Sequence, residues 1–412
     1  MSAAVQPGCY PPTGLPGVAA TLDMLGGCIA APAVVERVAL HQAVGRVLAS
    51  AAHALVASPT HDRSAMDGFA FRFETAGGMP LTCAGRARAG APFAGAVGAG
   101  ECVAIATGAL LPPSCDTVIM RELCDITGNL VTLSGPIAQG QNIRRRGEDF
   151  AVGAVLLPAG TRLIPRHIGL LASAGCADAL VYGRLRVAVL SIGDELSAGN
   201  AAQIFDANRP MLLAYAAELS AEVSDLGILP DRREEIADTL ARVAAAHDVI
   251  LCSAATSKGD EDYLHAALRD CGGEILRAGV AIKPGKPVSF GKIGKCLLIG
   301  LPGNPAAALI TFLTMGVPLL RQAAGELVRP VPPLLVRASF AHRKKPGLRE
   351  YLRVTLSPGA DNIAVAQRCG KDGAAMLASL AESDGLVWLD EDATEIMPGA
   401  LLPFCSFGGF LE

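Results

Sequence analysis

The strongest pattern in the chain is the alternation of short apolar runs with amphipathic stretches from about Arg184 to Gly325. RLRVAVLSI, AEVSDLGIL, HDVILCSA and KCLLIGL read as strands. NRPMLLAYAAELSA, DRREEIADTLARVAAAH, EDYLHAALRDCG and NPAAALITFLTMGVPLLRQ read as helices. Such alternation predicts a mainly parallel sheet covered by helices. Upstream, ECVAIATG, TVIMREL and LVTLSG are brief apolar stretches divided by Gly, Pro and Asn, the pattern of a β-rich module. VVERVALHQAVGRVL carries apolar residues at helical spacing, and PRHIGLLASAG predicts a short helix ending at Gly175. PVPPLL near residue 330 marks a linker, and short strands with turns follow it.

The elements divide an α/β multidomain chain into four parts. A helical linker domain comprises residues 18–50 and 141–180, with a β-rich domain of residues 51–140 inserted into it. A central α/β domain covers residues 181–328, and a small β domain covers residues 329–412.

Composition narrows the classes. Of 412 residues, 51% are hydrophobic and 18% charged, which supports several buried cores. Aromatics are only 4%, so those cores rest on Ala, Val, Leu and Ile. The net charge is −4, and the run Arg144, Arg145, Arg146 is too short to change that balance, so nucleic acid is not an expected partner. Twelve cysteines are spaced irregularly with no C-x-x-C pair. They read as small buried hydrophobes in a reducing compartment rather than disulfides or a zinc site. The N-terminal MSAAVQPGCYPP lacks the charged start and apolar core of a secretory leader. The apolar stretch from Ala306 to Leu320 reads as too short for a bilayer and contains Pro318, so a soluble cytoplasmic protein without a membrane partner is expected.

Ligands of open α/β sheets bind beyond the carboxyl ends of the strands. Four loops occupy such ends: Gly193, Asp194 and Glu195; Pro230 and Asp231; SAATSKGDED at residues 253–262; and GLPGNPAA at residues 300–307. In the last, Asn304 suits an N-cap, Pro305 the first helical position, and Gly300 and Gly303 permit close backbone approach. Free N–H groups there would attract an anion, although an ordinary capped helix has the same form. Ser253, Thr256 and Ser257 could hold phosphate oxygens. Asp260 and Asp262 could hold magnesium, or simply enrich a helix start in acid. IKPGKP places Lys283 and Lys286 beside a Gly turn, which suits an oxyanion or an ordinary surface. HDRSAMDGFAF adds Asp62 and Asp67, and RRRGEDF adds Glu148 and Asp149. Together these groups point to metal-assisted transfer of a phosphate or oxyanion.

SAMDGFAFR, ATGALLP, GQNIRRRGEDF, GLLASAG, SIGDEL, FDANRPML, KGDEDYL, IKPGKP and GLPGNPAA occur in one order. In that order they resemble the molybdopterin molybdenumtransferase family, which includes the E domain of gephyrin. The resemblance covers roughly residues 18–412. It implies a linker domain interrupted by a β domain, a three-layer α/β domain that binds molybdopterin, and a C-terminal β domain. It also implies a homodimer that takes adenylylated molybdopterin and molybdate, uses magnesium, and releases AMP and molybdenum cofactor. A molybdopterin adenylyltransferase and recipient molybdoenzymes are the implied protein partners.

By position, Asp62, Asp149, Glu195, Asp231 and Asp262 look like the family's cleft acids, and Arg144 and Lys283 like its basic residues. Glu195, Asp260 and Asp262 are the expected magnesium ligands. Arg144, Lys283 and Lys286 would offset anionic charge. Ser253, Thr256, Ser257, Pro302, Gly303 and Asn304 would hold the pterin end.

The chain departs from the family at Ala254 and Ala255, where Gly-Gly is usual, and at Gly279, where a lysine stands, although Arg277 is close by. It departs again at Leu348, in place of Arg after Gly347, and at Ala374 and Ala375, in place of Ser-Gly. A non-catalytic paralogue that binds or delivers molybdopterin or molybdate is therefore the alternative. The related adenylyltransferase shares the central domain, but the flanking domains argue against it.

Overall fold

The computed structural model describes residues 14–30, 32–77, 79–196, 204–253, 263–329, 332–370 and 376–411. Helix α1 (Val18–Gly26) comes first. It packs on the central domain, where Val18 and Leu25 are buried and Gln322 Nε2 donates to Gly26 O at 3.0 Å. The VVERVALHQAVGRVL segment is not the expected helix. Val35–Ala39 forms strand β1, and Leu40–Gln42 makes one 3₁₀ turn. The cause is non-local: β1 runs antiparallel to β2 (Asp178–Tyr182), with Val35 opposite Tyr182 and Ala39 opposite Asp178. β-Branched Val35 and Val38 suit that ladder, and a partner strand outweighs local periodicity. Leu40, Leu48, Leu163, Leu171 and Val181 close a small core beside it, with Leu171 supplied by helix α2 (Pro165–Ser173).

Between β1 and β2 the chain builds a six-stranded sheet. Its strands lie in the order Thr117–Met120, Gly68–Phe71, Glu101–Ile105, Leu81–Ala87, Leu130–Leu133 and Cys124–Thr127. Two short ladders lead into it: Ala52 and His53 pair with Leu157 and Val155, and Arg63 and Ser64 with Arg144 and Ile143. Gly68 is required by packing, since a Cβ there would stand 1.8 Å from Ile119 O.

The central sheet is formed by β3 (Arg186–Ile192), β4 (Glu222–Leu229), β5 (Val249–Ser253), β6 (Glu274–Ala278), β8 (Ser289–Ile293) and β9 (Cys296–Leu301). Its order is β4-β3-β5-β9-β8-β6. The first four strands are mutually parallel, and β8 and β6 add an antiparallel edge. Alternate residues of β3 enter different cores. Val187 and Val189 meet Leu212 of α3 (Asn208–Glu218), together with Ile310 and Leu320. Ala188 and Leu190 meet Ile236 of α4 (Arg233–Ala244) and Leu264 of α5 (Tyr263–Asp270). Helices thus cover both faces, and the uninterrupted apolar strands are buried on both sides.

Helix α6 (Pro305–Thr311) continues through a π turn at Phe312–Gly316 into α7 (Val317–Ala323). Pro318 does not end the helix, because the wider turn precedes it and accommodates its missing N–H. The run of 19 residues, with mean hydropathy 1.4, is longer than the apolar stretch suggested and would reach across a membrane by length and composition. It is 78% buried within the protein, the position of a core helix. The cysteines among the described residues are free, and burial pushes the Cys102 thiol up to about 12.

In the C-terminal domain, β10 (Arg349–Ser357) pairs with Val365–Arg368 on one side and Gly385–Leu389 on the other. Leu334–Ala338 and Leu401–Ser406 complete a closed ring of five strands. One further strand comes from the central domain: β7 (Ile282–Lys283) adds parallel to the start of β10.

Replacing Gly68 by Ala should cost about 1–3 kcal/mol through overpacking against the neighbouring strand. Thermal unfolding should show an earlier transition, and an unchanged midpoint would contradict the packing described.

Candidate active site

The parallel strands end level with one another. Ser191 pairs with Ser253, and Ser253 with Leu301. β3 then runs into Gly193, where φ is +151° and a Cβ would lie 2.5 Å from Glu195 Oε2. The loop folds back there, so the Glu195 carboxylate approaches its own backbone, which only glycine permits. The loop after β4 is tied to it reciprocally. Asp194 N–H donates to Asp231 Oδ2 at 3.0 Å, and Asp231 N–H to Asp194 Oδ1 at 3.3 Å. Glu195 and Asp231 are therefore brought to one edge. Neither makes an ion pair with another described residue.

Asn208, which sequence reasoning missed, joins the other two loops. It is buried at the start of α3. Its Nδ2 donates to Ser253 Oγ at 2.7 Å and to Gly303 O at 2.8 Å, with Pro302 O at 3.5 Å. One amide group thus holds the end of β5 against the loop after β9. Asn208 Oδ1 and Ser191 Oγ are buried with no hydrogen-bond partner among the described residues. Orphaned acceptors of this kind call for a ligand or water donor. The available signal was a polar residue opening an otherwise apolar helix in FDANRPML.

Asn304 occupies the N-cap of α6 with Pro305 behind it, but its side chain makes no capping bond. Gly303 and Asn304 are exposed, whereas Pro302 is buried. The lysine turn reaches the same end of the sheet, because β8 begins just after it and Ser289 pairs with Gly300. Gly285 has φ +116°, and a Cβ there would lie 2.1 Å from Thr311 Oγ1, so the turn sits tightly on α6. Its two lysines differ. Lys283 Nζ lies 2.8 Å from Glu350 Oε1, while Lys286 is exposed and has no ion pair among the described residues.

The acids of the first half form a separate group at the foot of the inserted sheet. Asp62 Oδ1 accepts the Arg146 N–H at 2.8 Å, and Oδ2 pairs with Arg145 Nη1 at 2.7 Å. The Arg146 amide, helped by Arg145, holds the Asp62 carboxyl below the usual carboxylate range against the opposing effect of desolvation. Arg144 Nε donates to Glu148 at 2.7 Å. Asp149 is exposed, and its N–H donates to Ser58 O at 3.0 Å. Asp67 accepts both the amide and the hydroxyl of Thr107, a turn role. Among the described residues of one chain, no hydrogen bond or ion pair joins this group to the central loops.

Thr256, Ser257, Asp260 and Asp262 lie outside the described residues, as do Ala254, Ala255, Ala374 and Ala375. Of the expected metal ligands only Glu195 is described, and no group of three His, Cys, Asp or Glu able to hold a metal occurs among the described residues. Arg277 does not stand in for the missing lysine. Its Nη2 lies 3.6 Å from Met24 Sδ, against α1. Leu348, at the family's Arg position, contributes its carbonyl to Lys344 Nζ at 2.8 Å.

Asn208→Ala should cost about 1–3 kcal/mol by orphaning its buried partners. Hydrogen exchange should quicken at the end of β5 and in the loop after β9, and unaltered protection there would refute the tie. For Asp62, a lowered folded-state pKa means stabilisation that is complete above the unfolded value, about 3.9, and lost as pH falls through the folded one. Asp62→Asn should therefore unfold at lower temperature than the parent at neutral pH, and the gap should close as the solution is acidified.

Three family models match the chain. They are the MoeA N-terminal region (domain I and II) over residues 18–175, a probable molybdopterin binding domain over residues 188–322, and the MoeA C-terminal region (domain IV) over residues 336–407. The molybdopterin molybdenumtransferase of Haemophilus influenzae is 33% identical over 387 residues, covering 92% of this chain and 96% of the relative. That of Nostoc sp. is 31% identical over 379 residues, covering 88% and 87%. Among solved structures, a molybdopterin biosynthesis moeA protein from Pyrococcus horikoshii is similar, with a TM-score of 0.81 and 25% identity. That match covers 95% of this chain and 99% of the other.

Proposed function

The chain belongs to the molybdopterin molybdenumtransferase family, and on that premise we propose that it inserts molybdate into adenylylated molybdopterin, releasing AMP and molybdenum cofactor. The observation that carries this reading is the convergence of the Glu195 and Asp231 loops, Ser253, the Pro302–Asn304 loop and the lysine turn at one end of the central sheet.

Each group has a task that follows from its chemistry. Ser253 Oγ already accepts the Asn208 amide, so its own O–H is available to a phosphate or pterin oxygen. Asn208 Oδ1, a buried acceptor, suits an N–H of the pterin. Thr256 and Ser257 follow Ser253 closely in the sequence and are proposed for the same task. Gly303 and Asn304 leave backbone N–H groups exposed to the adenylate. Lys286 and Lys283 offset the negative charge of molybdate and phosphate.

Magnesium fits this end of the sheet by donor chemistry. Glu195 offers a carboxylate oxygen, and Asp260 and Asp262, outside the described residues, would have to complete the donor set, since the described acids alone form no metal site. Bound there, it would draw charge from the phosphoanhydride.

The working unit is a homodimer in which the Asp62, Arg144 and Asp149 turn of one subunit completes the cleft of the other. Exposed Leu55, Val152, Val155 and Phe205 supply apolar surface of the kind that subunits cover. The setting is cytoplasmic. An adenylyltransferase supplies the substrate, and molybdoenzymes receive the product.

Purified protein mixed with adenylylated molybdopterin, magnesium and molybdate should release AMP, followed by chromatography. Asp231→Asn keeps an acceptor for the Asp194 amide but removes the charge, and should slow AMP release on the order of 100-fold with the fold intact. Bound pterin without any AMP would replace the transferase by a carrier.

A further inference from the structure

Glu350 has no part in the assignments above, yet its setting is unusual. It is only 4% exposed, and a carboxylate removed from water needs charged partners. Its ion-pair partner is Lys283, with Nζ 2.8 Å from Oε1; His342 Nε2 lies 3.3 Å from the same oxygen without hydrogen bonding to it. The backbone dictates the first contact. β7 and β10 pair in parallel with Lys283 opposite Glu350, so the C-terminal domain lays its strand against the lysine turn of the central domain. His342 arrives from a two-residue ladder with Ile396.

The neighbouring charges are committed elsewhere. Arg349, on the same strand, turns to Asp390 at 2.9 Å and Glu391 at 3.5 Å. Lys344 gives its N–H groups to the carbonyls of Leu348 and Glu391. Lys344 also bears on Glu350 through its charge, yet among these cations only Lys283 forms an ion pair with it.

Lys283 is asymmetric as a result. Its side chain is 58% exposed, while its partner is 5% exposed. A lysine on a free stem samples many rotamers, and one anchored through a buried carboxylate does not. Glu350 holds the ammonium as an ion pair, and the exposed face of Lys283 leaves N–H groups for an incoming oxyanion. Lys286, without such a partner, brings uncompensated charge; Lys283 brings direction.

We propose that Glu350 is a positioning residue for oxyanion capture: it aims the Lys283 ammonium, so that the molybdate site is complete only when the C-terminal barrel is docked on the lysine turn. This rests on the reading, given above, that the lysine turn receives molybdate.

The test is a double-mutant cycle on full-length protein, with molybdate retention measured by equilibrium dialysis beside pterin binding and thermal unfolding. Glu350→Gln keeps the shape and loses the charge. It should weaken molybdate binding about tenfold, within the range of a coupled charged pair, and leave pterin binding unchanged. In a Lys283→Gln background the same change should add nothing, because Glu350 acts through Lys283. Glu350→Asp, which keeps the charge on a shorter stem, should fall between parent and Gln variant, and it serves if the Gln variant does not fold. A purely structural strut would lower the unfolding midpoint and leave molybdate affinity unmoved. That result overturns the proposal, as does an equal loss of pterin binding or a Glu350→Gln effect that persists without Lys283. Failure of the unsubstituted protein to retain molybdate would instead remove the reading of the lysine turn, and the proposal with it.

Discussion

The in-register hydrogen bonding of three parallel strands, β3, β5 and β9, is the constraint on which the rest of this molecule depends. Ser191, Ser253 and Leu301 stand side by side across them, so the chain leaves the sheet at one level each time. Burial enforces that level. Successive residues of β3 enter two different cores, and a slip of one position would exchange every side chain between them. Once strand ends are fixed in this way, few further contacts are needed. A reciprocal pair of aspartates ties two loops, and one asparagine amide ties the other two.

The same constraint explains what could be read in the sequence. The helices and the four parallel strands of the central domain were legible, most clearly where strands buried on both faces are written as unbroken apolar runs, whereas the antiparallel edge strands β6 and β8 were not read. The four strand-end loops followed from their positions after those runs. VVERVALHQAVGRVL was misread because its partner, DALVY, lies on the far side of the inserted domain, and no local period carries that information. Asn208 was passed over for a related reason: its value lies in two loops remote in sequence. Arg277 looked like a substitute for a missing lysine by proximity in the chain, yet its strand directs it to Met24. Glu148 was read as one member of an acidic pair, and the structure sets it against Arg144 while Asp149 stays exposed.

The domains differ in how they serve the sheet end. The barrel joins it through a short strand added beside β10, with a charged contact there, and through Tyr351, Leu380 and Leu386, which share the core of the central domain. The inserted sheet stands off on two short ladders and carries its own arginine-rich turn.

The pairing of β1 with β2 has an implication for the order of assembly. Its two strands flank the whole inserted domain, so bringing them together means closing a very long loop. A compact domain between them shortens the effective distance, whereas a loose one leaves the ends far apart. The insert is thus expected to condense early, and the linker to zip shut afterwards, as a late and slow step in the folding of the chain.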